Sequence, residues 1–239
     1  TIGLIGGLTW HSSADYYRYF NQMVNQRLGG EEAAQIILYS VNFGPIKKLT
    51  LADDWDGVAE IITSAAVRTV EAGADCILLG ANTMHHIADK VAAAIRVPLI
   101  HIADATAAAI REKGLDTVAL LGTKYTMQMD FYRDRLMKKG IRAIIPDEEG
   151  IRYVNHSLYE ELDKGMFLED TRAQYVRIIG QLMEQGAKGV ILGCTEIPLL
   201  IKQEHSPVPV FDTAWWHAKT AVDFALTDFA RPLRIINPE

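Results

Sequence analysis

The sequence predicts two similar small α/β domains, each with a mainly parallel four-stranded sheet flanked by helices and related by pseudo-two-fold symmetry. Two observations predict this fold. Eight short apolar runs alternate with helix-length amphipathic segments, as buried parallel strands alternate with crossover helices. The two halves of the chain also match each other in sequence, which indicates an internal duplication.

Four strands are predicted in each half, because each run is short, apolar and bounded by polar residues or glycine. In the first half the predicted strands are 2–5, 35–38, 76–79 and 97–100; in the second they are 118–121, 143–145, 190–192 and 208–211. The longer amphipathic segments between them are predicted to be the helices that connect parallel neighbours.

The duplication is clearest in two stretches. Residues 1–6 resemble residues 117–122, and residues 71–81 resemble residues 184–194 at nearly the same offset. We expect a first domain of residues 1–101 plus 213–239 and a second of residues 102–212. Ligands of open α/β sheets bind beyond the carboxyl ends of the strands, so four segments that follow strands should line a cleft between the domains. They are residues 6–13, 81–85, 123–127 and 194–196.

Composition excludes several classes of protein. The 239 residues are 49% hydrophobic and 23% charged, as in an ordinary globular protein. A net charge of −6 without any Lys/Arg-rich stretch argues against nucleic-acid binding. No apolar run approaches the roughly 18 residues of a membrane span, and no basic leader is visible, so we expect a cytoplasmic protein without membrane contact.

Cofactor and metal motifs are also missing from the sequence. The glycines of the first loop do not form GxGxxG, and no phosphate-binding GxxxxGK[ST] occurs. The two cysteines lack metal-ligand spacing, and the adjacent His85 and His86 would point about 100° apart on a helix. We therefore expect no cofactor, no metal and no disulfide.

Cys194 is the leading candidate for chemistry, because it comes directly after a predicted strand. A helix N-terminus following it would lower its pKa and favour the thiolate, although a cysteine can equally be a small buried hydrophobe. Cys76 lies inside a predicted strand and should be inert. The duplicate of Cys194 is Ala81, which cannot move a proton. Trp215–Trp216 are predicted to pack a terminal helix.

Polar residues follow the other strands and could hold an anion through hydroxyls and backbone amides, or simply cap the next helix. They are Thr9 and Trp10 in the first loop, Asn82 and Thr83 after the third strand, Thr123 and Thr126 in the matching loop of the second half, and Thr195 and Glu196 beside the thiol.

Motifs spread over nearly the whole chain carry a family resemblance. They lie at residues 6–10, 16–18, 82–85, 101–106, 122–127, 131–133, 193–196 and 211–213. Together they resemble the cofactor-independent aspartate/glutamate racemase superfamily. Gly-Cys-Thr-Glu at 193–196 is similar to the aspartate racemase and broad-specificity aspartate/glutamate branch.

The resemblance implies racemisation without pyridoxal phosphate, in which one cysteine removes the α-proton and a second delivers a proton to the opposite face. It implies a small acidic amino acid as substrate and a homodimer. The predicted catalytic residues are Cys194, Thr83 and Glu196. The resemblance also implies that Lys164 contacts the side-chain carboxylate of the substrate, with Lys47 and Lys48 as weaker candidates.

Ala81 departs from the family pattern, since a cysteine usually precedes Asn-Thr at this point. Three explanations stay open. The protein can be a racemase that is impaired or works in one preferred direction and relays its second proton through a water, a histidine or a hydroxyl such as Thr83 or Thr9. The alanine can instead be a replacement introduced to trap a substrate, or the protein can be a single-cysteine decarboxylase similar to the arylmalonate decarboxylases. A catalytically inactive homologue that binds acidic metabolites is a further alternative.

Overall fold

Strands and helices alternate along residues 1–227, which are the residues that the computed structural model describes. The strands are β1 (Ile2–Gly6), β2 (Ile36–Ser40), β3 (Cys76–Leu79), β4 (Thr117–Gly122), β5 (Arg142–Ile144), β6 (Val190–Gly193) and β7 (Val210–Asp212). The predicted first domain includes residues 228–239, which lie outside the described residues.

Helices connect the strands. They are α1 (Trp10–Leu28), α2 (Phe43–Leu51), α3 (Trp55–Glu71), α4 (Ala88–Ala94), α5 (Ile102–Glu112), α6 (Lys124–Gln128), α7 (Asp130–Lys138), α8 (Glu148–Glu160), α9 (Glu169–Glu184), α10 (Ile197–Leu200) and α11 (Thr213–Thr227). Short 3₁₀ helices follow β3 at Thr83–Ile87, α8 at Leu162–Lys164 and α10 at Gln203–His205. Of the helices described, none combines the length and apolarity that crossing a bilayer requires.

Two separate parallel sheets form, as predicted. The first has the order β2-β1-β3 and the second the order β5-β4-β6-β7. All pairs within both sheets are parallel. The first three strands of each half therefore occur in the same spatial order, which confirms the α/β class and is consistent with the predicted pseudo-symmetry.

The prediction of four strands in the first half is wrong. Residues 97–100 make a single bridge, between Ile77 and Leu99. The Ile77 amide donates to the Pro98 carbonyl at 2.9 Å, and the Ile100 amide donates to the Ile77 carbonyl at 2.9 Å. Pro98 has no amide hydrogen to add to the ladder, and α5 begins two residues after Ile100, so the pairing stops there.

Two strands of the first sheet, β1 and β3, are buried on both faces, which explains their uninterrupted apolar sequences, whereas the edge strand β2 is partly exposed. Ile5 and Leu79 pack against α3 on one face, while Leu4 and Cys76 pack against α1 and α11 on the other. Cys76 is fully buried, so its predicted place in the core is confirmed, and burial raises its thiol pKa to about 11, in line with the expectation that it is inert. Trp215–Trp216 on α11 pack against the cores, as predicted.

Glycines end the strands that lead to the site. A Cβ at Gly122, the end of β4, would lie 2.7 Å from the Gly193 carbonyl oxygen. A Cβ at Gly193, the end of β6, would lie 2.7 Å from the Leu121 carbonyl oxygen. The two strand ends approach each other too closely for any side chain. This close approach sets Thr123 and Cys194, the residues that follow, side by side at one edge of the sheet.

Candidate active site

A cavity lies where the carboxyl ends of the two sheets meet, with an empty volume of about 710 Å³ that includes space open to solvent. All four segments predicted to line a cleft contribute to it. The lining residues from these segments and from the end of β6 are Leu8, Thr9, Ser12, Ala81, Asn82, Thr83, Met84, Thr123, Tyr125, Gly193, Cys194, Thr195 and Glu196.

Cys194 stands at the carboxyl end of β6, as predicted, and is half-buried. Its Sγ donates a hydrogen bond to Oε2 of Glu196 at 3.0 Å. Burial, and then the negative charge of Glu196, raise the pKa of the thiol well above its usual value. The expectation of a lowered thiol pKa is therefore wrong: α10 has only four residues, and a carboxylate stands between it and the sulfur.

Glu196 is the centre of the site's hydrogen bonds, although only 4% of its surface is exposed. Its Oε2 accepts from Cys194 and, at 2.8 Å, from the Thr195 hydroxyl. Its Oε1 accepts from the Thr9 hydroxyl at 2.9 Å. A buried carboxylate with three donors is a well-placed proton acceptor for the thiol, because the sulfur already points its hydrogen at it.

Thr9 connects this carboxylate to the other half of the molecule. It precedes α1 but makes no capping hydrogen bond to that helix, and its hydroxyl donates to Glu196. The Ser12 hydroxyl lies 3.0 Å from the Thr9 hydroxyl and 3.3 Å from the Gly80 carbonyl oxygen at the end of β3. Because the Thr9 proton goes to Glu196, the single proton of Ser12 can go to the Thr9 hydroxyl or to a carbonyl oxygen, that of Thr9 or of Gly80. Ser12 therefore lies within hydrogen-bond distance of both Thr9 and the strand end that precedes Ala81.

Three threonines from both halves form a hydroxyl cluster. The Thr83 hydroxyl lies 2.9 Å from that of Thr123 and 3.5 Å from that of Thr126. Thr123 also caps α6 by accepting from the Thr126 amide at 3.3 Å. Thr83 and Thr123 line the cavity, whereas Thr126 is fully buried in contact with them. This cluster brings together hydroxyls that the sequence assigned to anion binding.

The side-chain oxygen of Asn82 is a hydrogen-bond acceptor that has no donor within the described part of the chain. The amide nitrogen, Nδ2, donates to the Thr213 hydroxyl at 2.9 Å, and Thr213 in turn donates to the Leu192 carbonyl at 3.0 Å. Because the Thr213 proton is already used, Asn82 must present nitrogen to Thr213, which fixes the orientation of the amide. The Asn82 Oδ1 is then buried and has no hydrogen-bond partner among residues 1–227.

Ala81 also lines the cavity, with its backbone held by a buried histidine. The His85 Nε2 accepts from the Ile102 amide at 3.2 Å, so its Nδ1 carries the hydrogen and donates to the Ala81 carbonyl at 3.0 Å. Burial, together with the neighbouring His101 and His217, lowers the pKa of His85 well below its usual value. His85 is thus neutral and structural.

Metal-binding geometry does not occur in the part of the chain that the structure describes: no group of three or more His, Cys, Asp or Glu side chains could hold an ion. His85 and His86 have separate surroundings. The ring of His86 packs edge-on against Trp55, with centroids 4.6 Å apart, while His85 faces His101.

Three predicted binding residues do not line the cavity: the buried Thr126, and Lys164 and Trp10 at the surface. Lys164 pairs with Glu160 at 2.6 Å, one helical turn away, and both side chains are exposed. Trp10 is 68% exposed and stacks on His11, with ring centroids 3.7 Å apart. The weaker candidate Lys47 lines the cavity instead, with its Nζ 4.9 Å from the centre of the Tyr159 ring. Lys48 is exposed.

One wall of the cavity was not predicted from the sequence. It consists of Phe43, Lys47, Thr50 and Leu51 from α2, and Leu158, Tyr159 and Asp163 from α8 and the 3₁₀ helix after it. Asp163 faces Glu196 and Lys47: burial and the charge of Glu196 raise its pKa to about 6, while Lys47 opposes the rise. None of these residues lies in a motif or directly at a predicted strand end, so only the weaker candidates Lys47 and Lys48 pointed to this wall.

Comparison with known proteins places these observations in a family. The model of the Asp/Glu/Hydantoin racemase family matches residues 5–221. The broad specificity amino-acid racemase RacX of Bacillus subtilis is 26% identical over 169 residues, which are 71% of this chain and 73% of RacX.

Solved structures agree with that match. A putative Asp/Glu racemase from Yersinia pestis is 48% identical, with a TM-score of 0.89 over 94% of this chain and 98% of the other. An aspartate racemase homologue from Pyrococcus horikoshii is 37% identical, with a TM-score of 0.84 over 94% and 98% of the two chains. Glutamate racemase from Francisella tularensis, crystallised with D-glutamate, shares the fold at 17% identity and a TM-score of 0.68, over 100% of this chain and 85% of the other. The chain belongs to the Asp/Glu/hydantoin racemase family.

Proposed function

We propose that this chain is a cofactor-independent racemase of acidic amino acids in which Cys194 moves the α-proton. The observation that carries the proposal is the Cys194–Glu196 hydrogen bond at the wall of a cavity, in a chain of the racemase family. A thiol paired with a carboxylate can surrender its proton when a substrate arrives and then act as a base.

Three polar groups of the cavity match the three charged groups of an acidic amino acid. The hydroxyls of Thr83 and Thr123 suit the α-carboxylate. The unpartnered Oδ1 of Asn82 suits the α-ammonium group: an unmet buried acceptor costs about 1–3 kcal/mol, which a donor from the ligand would recover. Lys47, which forms no salt bridge within residues 1–227, suits the side-chain carboxylate in place of Lys164.

Proton removal begins at the thiol. Cys194 passes its proton to Glu196, and the resulting thiolate takes the α-hydrogen of the substrate. The hydroxyls that hold the α-carboxylate then donate to oxygens that become more negative as the carbanion forms, which stabilises the transition state. The similarity to RacX, a broad specificity amino-acid racemase, supports an amino acid as the substrate class without fixing the side chain.

Hydrogen exchange tests the proposal directly. L- and D-forms of aspartate and glutamate are incubated with the enzyme in D₂O, and loss of the α-proton signal is followed by NMR. We expect exchange with the wild type, a loss of at least about 100-fold with Cys194→Ser, and retained exchange with the matched control Cys76→Ala. Calorimetric binding without any exchange would instead favour the inactive metabolite-binding homologue.

A single-cysteine decarboxylase is the second candidate, because one observation favours it. The thiol rests in its protonated form, and apolar side chains such as Leu8, Phe43, Met84 and Leu158 could surround an aryl group. A protonated thiol is ready to protonate an enediolate after loss of carbon dioxide. Release of carbon dioxide from an aryl-substituted malonate, with no α-exchange of aspartate or glutamate, would establish this alternative.

The homodimer and the cytoplasmic location remain predictions. Sedimentation velocity of the purified protein tests the dimer.

A further inference from the structure

Inversion at an α-carbon needs a proton donor on the face opposite the base, and the thiol that would supply it is missing. The position that duplicates Cys194 is Ala81, whose methyl group lines the cavity. Another group must therefore deliver the second proton. A hydroxyl can do so only when an acid stands behind it, because a hydroxyl alone is too weak an acid to give up its proton unaided.

Eight hydroxyl-bearing side chains line the cavity: Thr9, Ser12, Thr50, Thr83, Thr123, Tyr125, Tyr159 and Thr195. Within residues 1–227, two of them bond to a carboxylate, and both bond to Glu196. Thr195 is the chain neighbour of Cys194 and lies on the same strand end. Thr9 comes from the loop after β1, in the other half of the molecule.

We propose that Thr9, backed by Glu196, is the second acid–base group of the racemisation, so that the α-carbon lies between Sγ of Cys194 and Oγ1 of Thr9. The proposal rests on the proposed function. One carboxylate bonds both atoms, through Oε2 to the sulfur at 3.0 Å and through Oε1 to the hydroxyl at 2.9 Å.

The protons balance over one turnover. Cys194 first transfers its proton to Glu196, which becomes a neutral carboxylic acid. The Cys194 thiolate takes the α-hydrogen, leaving a carbanion whose charge is spread over the substrate carboxylate. Thr9 then gives its hydroxyl proton to the opposite face of the carbon while it receives the proton held by Glu196. The thiol, the hydroxyl and the carboxylate all return to their starting forms.

Ser12 is the positioning residue of this relay. Its hydroxyl lies 3.0 Å from that of Thr9 and 2.9 Å from the Thr9 carbonyl oxygen, and its single proton can go to either of them. Thr83 also lines the cavity, but its hydroxyl bonds other threonine hydroxyls rather than a carboxylic acid. No acid is therefore in place to reprotonate Thr83 after it has given its proton to the substrate.

Separating exchange from inversion tests the relay. L-Aspartate or L-glutamate is incubated in D₂O at saturation, and deuterated L-form (retention) and deuterated D-form (inversion) are quantified by chiral chromatography with mass detection. Thr9→Val keeps the size of the side chain but removes the relay. Thr9→Ser restores the hydroxyl, and Thr220→Val on α11, where the threonine bonds only the Trp216 carbonyl among residues 1–227, is the matched control.

We expect inversion by Thr9→Val to fall about 100-fold while exchange with retention stays within about threefold, because Cys194 can still remove the proton and return it to the same face. Thr9→Ser should recover inversion, and Thr220→Val should match the wild type. Both products arise from one enzyme–substrate complex, so their ratio does not depend on how tightly the variant binds.

Two results would overturn the relay: a wild-type ratio of inversion to retention in Thr9→Val, or an equal loss of both, which would make Thr9 a binding residue only. Failure of the proposed function looks different, since the wild type itself would then exchange no α-hydrogen of either substrate, and the relay would fall with it.

Discussion

Replacing Glu196 with glutamine separates the role of this carboxylate in proton transfer from its role in folding. The amide oxygen can take the place of Oε2 and still accept from Cys194 and Thr195. The amide nitrogen then faces Thr9, whose hydroxyl can rotate and accept. All three hydrogen bonds have a partner in the variant, so we expect the free energy of unfolding to change by only about 1 kcal/mol.

Catalysis should respond far more strongly than stability. An amide cannot take the thiol's proton, and the loss of a positioned base typically costs 10²–10⁴-fold, or about 3–5 kcal/mol of transition-state stabilisation. We therefore expect Glu196→Gln to lose about 100-fold or more in α-hydrogen exchange. Glu160→Gln, at an exposed glutamate outside the cavity, is the matched control.

The pKa of the Cys194 thiol gives a second measurement of the effect of Glu196→Gln. After burial, the charge of Glu196 is the next largest cause of the raised Cys194 pKa. Removing that charge should lower the thiol pKa, so alkylation by iodoacetamide should reach its half-maximal rate at a lower pH in the variant. Exchange within about threefold of the wild type, or an unchanged pH profile of alkylation, would refute the reasoning that Glu196 controls this thiol.

Other substitutions test separate parts of the structure. Ala81→Cys adds a thiol to the opposite cavity wall, so racemisation measured by chiral chromatography should rise at least about tenfold if the second proton limits turnover; no change would mean that another step limits it. Lys47→Met should raise KM for aspartate or glutamate by about tenfold or more, whereas Lys164→Met should leave it nearly unchanged, and equal effects would reject Lys47 as the carboxylate-binding residue. Burial lowers the pKa of His217 to about 4, so its contribution to stability is complete above its unfolded pKa near 6.5 and is lost as the pH falls toward 4. His217→Gln should therefore reduce the difference in urea-unfolding free energy between pH 7 and pH 4.5, by an amount on the order of 3 kcal/mol; an unchanged difference would assign the acid sensitivity to other groups.

The sequence was most informative where a strand ends. Cys194, Asn82 and Thr123 were placed correctly because the carboxyl ends of parallel strands meet at one edge, a rule that needs only the strand positions. The family match agrees with the motifs at those same positions. The prediction of a strand at 97–100 was wrong because an apolar run does not show how soon the next helix begins.

The sequence alone does not show which of several similar side chains reaches the cavity, because that depends on tertiary packing. Lys164 and Lys47 are both basic residues on helical segments, and only the tertiary structure shows that Lys47 lines the cavity while Lys164 pairs with Glu160 at the surface. The thiol pKa also depended on a contact that spacing does not show, since Glu196 turns its carboxylate back to the sulfur two residues earlier. Long-range contacts such as Thr9–Glu196 join residues that are 187 positions apart and carry no local signal.

The hydroxyl of Thr213 lies at the start of α11 and outside the cavity lining, yet it fixes the orientation of the Asn82 amide and leaves Oδ1 as the end that we propose binds the α-ammonium group. An exchange of that hydroxyl for a methyl group would release the amide to turn over and offer nitrogen instead of oxygen. The amide nitrogen would then donate to an acceptor on the ligand, such as the α-hydroxyl of a hydroxy acid, in place of the α-ammonium group that we propose for the amide oxygen. A substitution at Thr213, which does not line the cavity, could therefore change the ligand specificity of this fold.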